Sequence, residues 1–266
     1  MSDPFANVDA ASDDIIDLIA TALETRAADP SMTPVIEAYL DELNVPDGGL
    51  IVDIGSGTGG ITRRIADRFP AASVVGLEPS EALTKKAKEL AEDRQNLTFA
   101  VGNGAELNLK DRSADVAILH TVLSHVTNPE TLISEAVRIL RADGTLVICD
   151  ADFSKAAMGI VPGAPLDACA VAFVDGAVTD PWLIGKLKPL VSNAGLTVDH
   201  FCVLNRGVTS GTSALQWVRM SGARLVAEGV IGQPLADALE EEYMRRANAG
   251  MLYSFVPFVT LIAKKP

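Results

Sequence analysis

Apolar residues recur at helical spacing from the start of the chain. Ile15, Leu18, Ile19, Ala22 and Leu23 follow Ser12, which is placed to cap a helix with Asp13 and Asp14 in its first turn. Pro30 and Pro34 interrupt that pattern. Val35, Ile36, Tyr39, Leu40 and Leu43 then predict a second helix, ending before Pro46-Asp47-Gly48-Gly49. From there the period changes. Leu50 to Ile54 is a short apolar run that enters a glycine-rich turn and a helix over Ile61 to Phe69. Further strands are predicted over Ser73 to Leu77, Leu97 to Val101, Ala114 to Leu119 and Gly144 to Cys149, with helices at about Ser80 to Asp93 and Pro129 to Arg141.

Strands that alternate with helices and are apolar on both faces imply a parallel sheet covered on both sides. Beyond the fifth strand a helical stretch runs from about Ala164 to Asn193, interrupted near Asp180-Pro181. Leu196 to Leu204 reads as a sixth strand, Asn205 to Gly250 as helical, and Phe255 to Ala263 as a closing strand. The expected organisation is a helical cap over residues 1–48, an α/β core over 49–204 and 254–266, and a helical insertion over 205–253 that is a candidate substrate lid.

Composition narrows the function classes. With 48% hydrophobic and 21% charged residues the chain is a folding sequence, not a disordered or fibrous one. Acidic residues number 35 against 22 basic, a net charge of −13, and no lysine or arginine cluster offsets them. Nucleic acid and anionic lipid are therefore poor partners. The start, Met1 to Ala11, carries Asp3 and Asp9 where an export signal places basic charge before an apolar core. The most apolar stretch, Met158 to Val174, is cut by Pro162, Pro165 and Asp167, so membrane insertion is not expected. Cys149, Cys169 and Cys202 form no CxxC pair, and with three histidines in the chain they read as thiols of a reducing compartment, with no metal site. The expected location is the cytoplasm.

The segment that points to chemistry is Val52-Asp53-Ile54-Gly55-Ser56-Gly57-Thr58-Gly59-Gly60. A strand passing through glycines into a helix lets backbone approach a ligand and aims helix N–H groups at it. Gly55, Gly57 and Gly60 also satisfy the dinucleotide pattern, so the glycines alone leave two cofactor types open. Asp53, at the strand end, would repel a diphosphate but suits an ammonium group. Glu78, ending the second strand, is placed to accept both hydroxyls of an adenosine ribose, as in either cofactor.

These motifs, with Gly76-Leu77-Glu78-Pro79-Ser80, resemble the first two motifs of class I S-adenosylmethionine-dependent methyltransferases. Gly102-Asn103-Gly104-Ala105 lies where that family usually has Gly-Asp-Ala. Ala114-Asp115-Val116 through His120 and Arg138-Ile139-Leu140-Arg141-Ala142-Asp143-Gly144 are similar to its fourth-strand motif and its turn into strand five. The likeness covers about Tyr39 to Asp150 and is nearest the subgroup that includes quinone C-methyltransferases. It implies a Rossmann-like seven-stranded, mostly parallel sheet with an antiparallel last strand, and S-adenosyl-L-methionine as cofactor. It further implies Asp53, Gly55, Ser56 and Gly57 beside the methionine moiety, and Glu78 with Pro79 at the ribose. Asn103 and Gly104 would lie at the adenine edge, His120 beside the methyl-bearing sulfur, and Tyr39 as a neighbour of the cofactor carboxylate. Asn103 departs from the usual aspartate; its oxygen would accept from the adenine amino group while its NH₂ meets a ring nitrogen.

Methyl transfer from a sulfonium is an in-line displacement, and a base is required only where the acceptor must lose a proton. His120 is the candidate base. His125 reads as a capping or packing residue, Asp150 and Asp152 as acids after strand five, and Arg206 as a partner for an acidic substrate. Tyr243 lies on an apolar helical stripe and reads as core, while Trp182, Trp217 and Tyr253 carry no assigned role. The expected activity is methylation of a small molecule. Two other readings stay open: a domain that binds the cofactor without transferring methyl, as a sensor, lyase or cyclase, and an NAD-dependent oxidoreductase, disfavoured by Asp53 and by the lack of a Tyr-x-x-x-Lys pair after strand four.

Overall fold

In the computed structural model, which describes residues 3–159, 161 and 163–266, seven strands form one sheet in the order β3-β2-β1-β4-β5-β7-β6. They are β1 (Leu50–Ile54), β2 (Ser73–Glu78), β3 (Leu97–Val101), β4 (Ala114–His120), β5 (Leu140–Ala151), β6 (Thr197–Val208) and β7 (Ser254–Lys264). The first five pair in parallel, and β7 runs antiparallel to both of its neighbours, β5 and β6. Pro162, expected to cut the apolar stretch, lies outside the described residues.

The apolar runs follow from burial on both faces. Ile51, Val116 and Val147 point into one core layer with Ile36, Tyr39 and Ile65. Their neighbours in sequence, Val52, Ala117 and Leu146, point into the opposite layer with Ile133 and Leu187. A strand with cores above and below has no polar position to alternate with, which is why each reads as a continuous apolar run. Helices α1 (Asp13–Ala28), α2 (Thr33–Leu40), α3 (Gly60–Arg68) and α4 (Glu81–Leu90) precede β3, and α5 (Pro129–Ile139) connects β4 to β5. After β5 come α6 (Pro165–Ala177) and α7 (Leu187–Asn193), and α8 (Leu215–Ala227) with α9 (Gln233–Asn248) fill the interval between β6 and β7. A separate apolar cluster of Met158, Leu166, Cys169, Leu215, Val218 and Tyr243 holds α6, α8 and α9 together.

Several boundaries differ from the sequence expectation. Strand β6 continues through Asn205, Arg206, Gly207 and Val208, because β7 is long enough to pair with all four; the helical insertion starts after them. Helix α5 stops at Ile139 instead of Arg141, since Leu140 is already extended and pairs with Ala114. The pairing then skips to Thr145 across a bulge in which Asp143 takes a left-handed conformation at φ 62°. Ser12 holds the cap position of α1 but makes no side-chain cap bond. Ser80, by contrast, caps α4, its Oγ accepting from Leu83 N at 3.1 Å.

The order reverses between β1 and β4, whose chain continuations leave in opposite directions. Ligands of open α/β sheets bind at that switch point, outside the carboxyl ends of the strands.

Candidate functional site

Beyond β1 the chain turns through Gly55, Gly57 and Gly59 at φ 78°, 55° and 79°, a region L residues rarely adopt. A Cβ on Gly55 would sit 2.6 Å from Val122 Cγ2, and one on Gly57 2.9 Å from Leu23 Cδ1. The turn is thus pressed between the loop after β4 and helix α1. Gly57 N donates to Glu78 Oε2 at 2.9 Å and Ser80 N to Glu78 Oε1 at 3.1 Å, fixing the carboxylate at the end of β2. Burial pushes the Glu78 carboxyl up, against these two bonds that hold it down. Each oxygen keeps a further lone pair for a ligand hydroxyl.

Two cavities flank the turn. The larger, about 230 Å³, is bordered by Gly55, Gly57, Glu78, Pro79, Asn103 and Gly104, with Leu83 and Leu132 as apolar walls. The smaller, about 50 Å³, is bordered by Asp53, Ser56, Gly57, His120, Thr121 and Arg26. Nine of the ten expected site residues therefore border one cavity or the other. Tyr39 does not. It is fully buried and its hydroxyl lies 3.2 Å from His120 Nδ1, so it supports His120 from behind.

The polar groups of the smaller cavity are short of partners. Six buried side-chain atoms among the described residues have no hydrogen bond, and three of them, Ser56 Oγ, His120 Nε2 and Thr121 Oγ1, border this one space. Thr121 also holds φ 54°, a costly conformation for a β-branched residue. Buried groups left this way carry a desolvation cost that a ligand removes. Asp53 accepts from Thr62 Oγ1 at 2.6 Å, and burial, with Glu78 adding repulsion, pushes its carboxyl up to about 6.

Burial lowers His120 to about 3, with Arg26 and Arg64 adding to the effect. The imidazole is then neutral and a weak proton acceptor, which removes the support for a general base at this position. Asn103 Oδ1 accepts from Ala105 N at 2.9 Å, so the oxygen expected at an adenine amino group is already engaged in a turn, and the NH₂ is the freer end.

A third cavity adjoins both. It shares Leu23 and Arg26 with the smaller one and Phe5, Leu23 and His125 with the larger. Phe153, Phe173, Trp217 and Phe258 form its walls, Phe173 and Trp217 stacked at 5.2 Å. His125 reaches Asp3 Oδ2 at 2.8 Å and packs on Phe5. Arg206 donates to Ser31 and Ser213 at 2.9 Å each and lies 3.6 Å from Asp29.

The remaining candidates fall outside. Asp150 is buried and accepts from Ser124 N and Oγ, so it faces neither water nor a cavity, and Asp152 accepts from Ser154 in a local turn. Tyr243 is core, its hydroxyl on Gly211 O, while Trp182 and Tyr253 are exposed. Arg138 clamps Glu135 and the carbonyls of Leu107 and Leu109. The residues that sequence reasoning missed are Arg26 and Gln216. The signal for Arg26 was its place on the stripe: it follows Ile19, Ala22 and Leu23 at the inward spacing, a charge where an apolar residue is due.

Residues 52–148 match the methyltransferase domain family. That stretch contains the end of β1, the glycine turn, Glu78 and His120. Over that stretch the chain is similar to methyltransferase domains.

Among curated relatives, the domain is similar to the demethylmenaquinone methyltransferase of Tropheryma whipplei (strain Twist), 32% identical over 108 residues, 41% of this chain and 44% of that protein. The chain thus spans less than half the length of that relative. A trans-aconitate 2-methyltransferase of Variovorax paradoxus (strain S110) is 26% identical over 233 residues, covering 85% of this chain and 88% of that one. Among solved structures, a phosphoethanolamine N-methyltransferase of Haemonchus contortus bound to phosphomonomethylethanolamine and S-adenosylhomocysteine has a TM-score of 0.60 at 18% identity, covering 98% of this chain and 60% of that one. The (4+2)-cyclase SpnF has the same TM-score, 0.60, at 20% identity, covering 100% and 98%. These structural likenesses establish the fold. Among the described residues, no helix of the domain is long and apolar enough to cross a membrane.

Proposed function

We propose that this chain methylates a small-molecule acceptor with S-adenosyl-L-methionine as donor. The observation that carries the reading is the convergence of Asp53 and three partnerless polar atoms on one small cavity, next to a larger one with an acid at its rim. An amino-acid moiety carries the groups that such a cavity lacks. Its ammonium suits Asp53 and draws that carboxyl back to the ionised form. Its carboxylate suits the donors Ser56 Oγ and Thr121 Oγ1. Glu78 takes the ribose hydroxyls, and Gly104 and Asn103 lie along the remaining wall of the larger cavity. When bound, S-adenosylmethionine supplies an electrophilic methyl group on a sulfonium.

The chain's own contribution is placement and exclusion of water. Leu23 of α1 closes over the glycine turn, Phe173 and Trp217 wall the acceptor space, and His120 offers a neutral imidazole instead of a base. Holding two reactants in line supplies most of the acceleration that such a displacement needs. Relatives named for aconitate and demethylmenaquinone support a small-molecule acceptor. The net charge of −13 argues against nucleic acid, and the three free cysteines fit a cytoplasmic setting.

Calorimetric titration with S-adenosylhomocysteine, with NADH in parallel, tests the cofactor. Micromolar binding of the first alone is expected; the reverse returns the glycine turn to dinucleotides. A product heavier by one methyl group tests transfer, and tight binding with no such product across an acceptor panel would make this a cofactor-binding cyclase, lyase or sensor.

A further inference from the structure

The third cavity has a charge with no direct partner. Arg26 borders both it and the methionine cavity, and among the described residues its guanidinium makes neither an ion pair nor a side-chain hydrogen bond. Its neighbours differ in this respect. Arg206 has Asp29, and His125 has Asp3. No carboxylate borders the cavity, so its lining carries one positive charge without an ion-pair partner among aromatic walls, with Asp150 acting on it only from outside the lining. Gln216, 6% exposed, leaves Oε1 without a partner on the same lining, and a flip of that amide presents NH₂ instead. A half-buried guanidinium without a partner presents a planar fork of donors that matches a planar anion.

A second observation concerns protons. Of the lining groups only His125 is a titratable base, and its Nδ1 is held by Asp3. That contact leaves Nε2 of His125 as the one basic nitrogen on the lining. An acceptor that arrives ionised needs no base.

We infer that the cavity binds a monocarboxylate through Arg26 and that one of its oxygens receives the methyl group. This deepens the methyl-transfer reading and rests on it. One carboxylate oxygen is paired with Arg26 while the other directs a lone pair at the methyl carbon. The new O–CH₃ bond forms as the CH₃–S bond breaks, and the electron pair of the broken bond stays on sulfur. An anion and a sulfonium thus become a neutral ester and a neutral thioether, with no proton taken up or released. The ester no longer pairs with Arg26, so product formation itself removes the contact that held the substrate. A phosphate dianion would bring twice the charge that the lining offers.

The test uses the full chain saturated with S-adenosylhomocysteine. Trp217, on the cavity wall, reports binding by its emission in a Trp182→Phe background, where the exposed second tryptophan is silent. The cavity is small, about 50 Å³, so acetate, propanoate and butanoate are titrated against their amides. The acids are expected to bind at least tenfold more tightly. Arg26→Gln should erase that preference, Arg26→Lys should restore part of it, and both should bind S-adenosylhomocysteine within twofold of the parent. With labelled donor, the product should release methanol in alkali. The inference is overturned by equal binding of acids and amides, by a tenfold loss of S-adenosylhomocysteine affinity in Arg26→Gln, which would place the guanidinium on the cofactor, or by an alkali-stable product. Failure of the parent chain to bind S-adenosylhomocysteine would instead sink the methyl-transfer reading.

Discussion

Asp53 is held at a site that disfavours its charge, and Asp53→Asn should expose the cost. Its carboxyl lies at about 6 in the fold against an ordinary 3.8. At 1.36 kcal/mol per pH unit, the ionised form is disfavoured on the order of 3 kcal/mol. The sign follows from linkage. The folded state binds this proton more tightly than the unfolded state, so stability from the protonated form is present below about 3.8 and is lost as pH rises through about 6. An asparagine carries no charge and its oxygen can still accept from Thr62 Oγ1. Urea unfolding of the free protein at pH 7.5 should therefore find Asp53→Asn more stable by up to ~3 kcal/mol, shrinking to about 1 kcal/mol at pH 4.5. The same variant should bind S-adenosylhomocysteine at least tenfold more weakly, because the ligand ammonium loses its partner. A variant no more stable than the parent at pH 7.5, or one whose advantage stays constant with pH, would refute the account of Asp53 as a charge held in reserve for the ligand.

Glu78→Ala should weaken S-adenosylhomocysteine binding at least tenfold, about 1.4 kcal/mol, in a calorimetric titration of a folded variant; unchanged affinity would remove Glu78 from the ribose. Gly57→Ala places an L residue at φ 55° and a methyl against Leu23, and should cost about 1–2 kcal/mol in urea unfolding. Adding Leu23→Ala should recover the contact part of that loss and leave the backbone part; complete recovery would mean that φ carries no penalty here. Tyr39→Phe leaves His120 Nδ1 buried without its partner and should destabilise the fold by about 1–3 kcal/mol. If its stability matches the parent, the Tyr39–His120 pair is not a structural contact.

Much of the sheet was legible because its strands are buried on both sides. Ile51-Val52 and Val116-Ala117 each send one residue to either core layer, and such runs advertise themselves. The fixed offsets of Asp53, the glycines and Glu78 were equally plain, since the backbone itself demands glycine where φ is positive. The edge strand was harder. Half-exposed β6 alternates weakly, and its last four residues are strand only because β7 reaches them. The chemistry of His120 was not legible at all. Its position was evident, but its proton affinity is set by burial and then by Arg26 and Arg64, and its Nδ1 partner Tyr39 lies 81 residues away. The third cavity was hidden for the same reason. Phe5, Arg26, Phe173, Arg206 and Trp217 share no local motif and meet only when α1, α6 and α8 close over the sheet.

Leu23 and Arg26, one turn apart on α1, form part of the wall of every chamber described above: Leu23 of all three, Arg26 of two. A single rod of 16 residues is thus the common door for donor and acceptor. A displacement of that rod would therefore reshape the walls of the donor and acceptor spaces together.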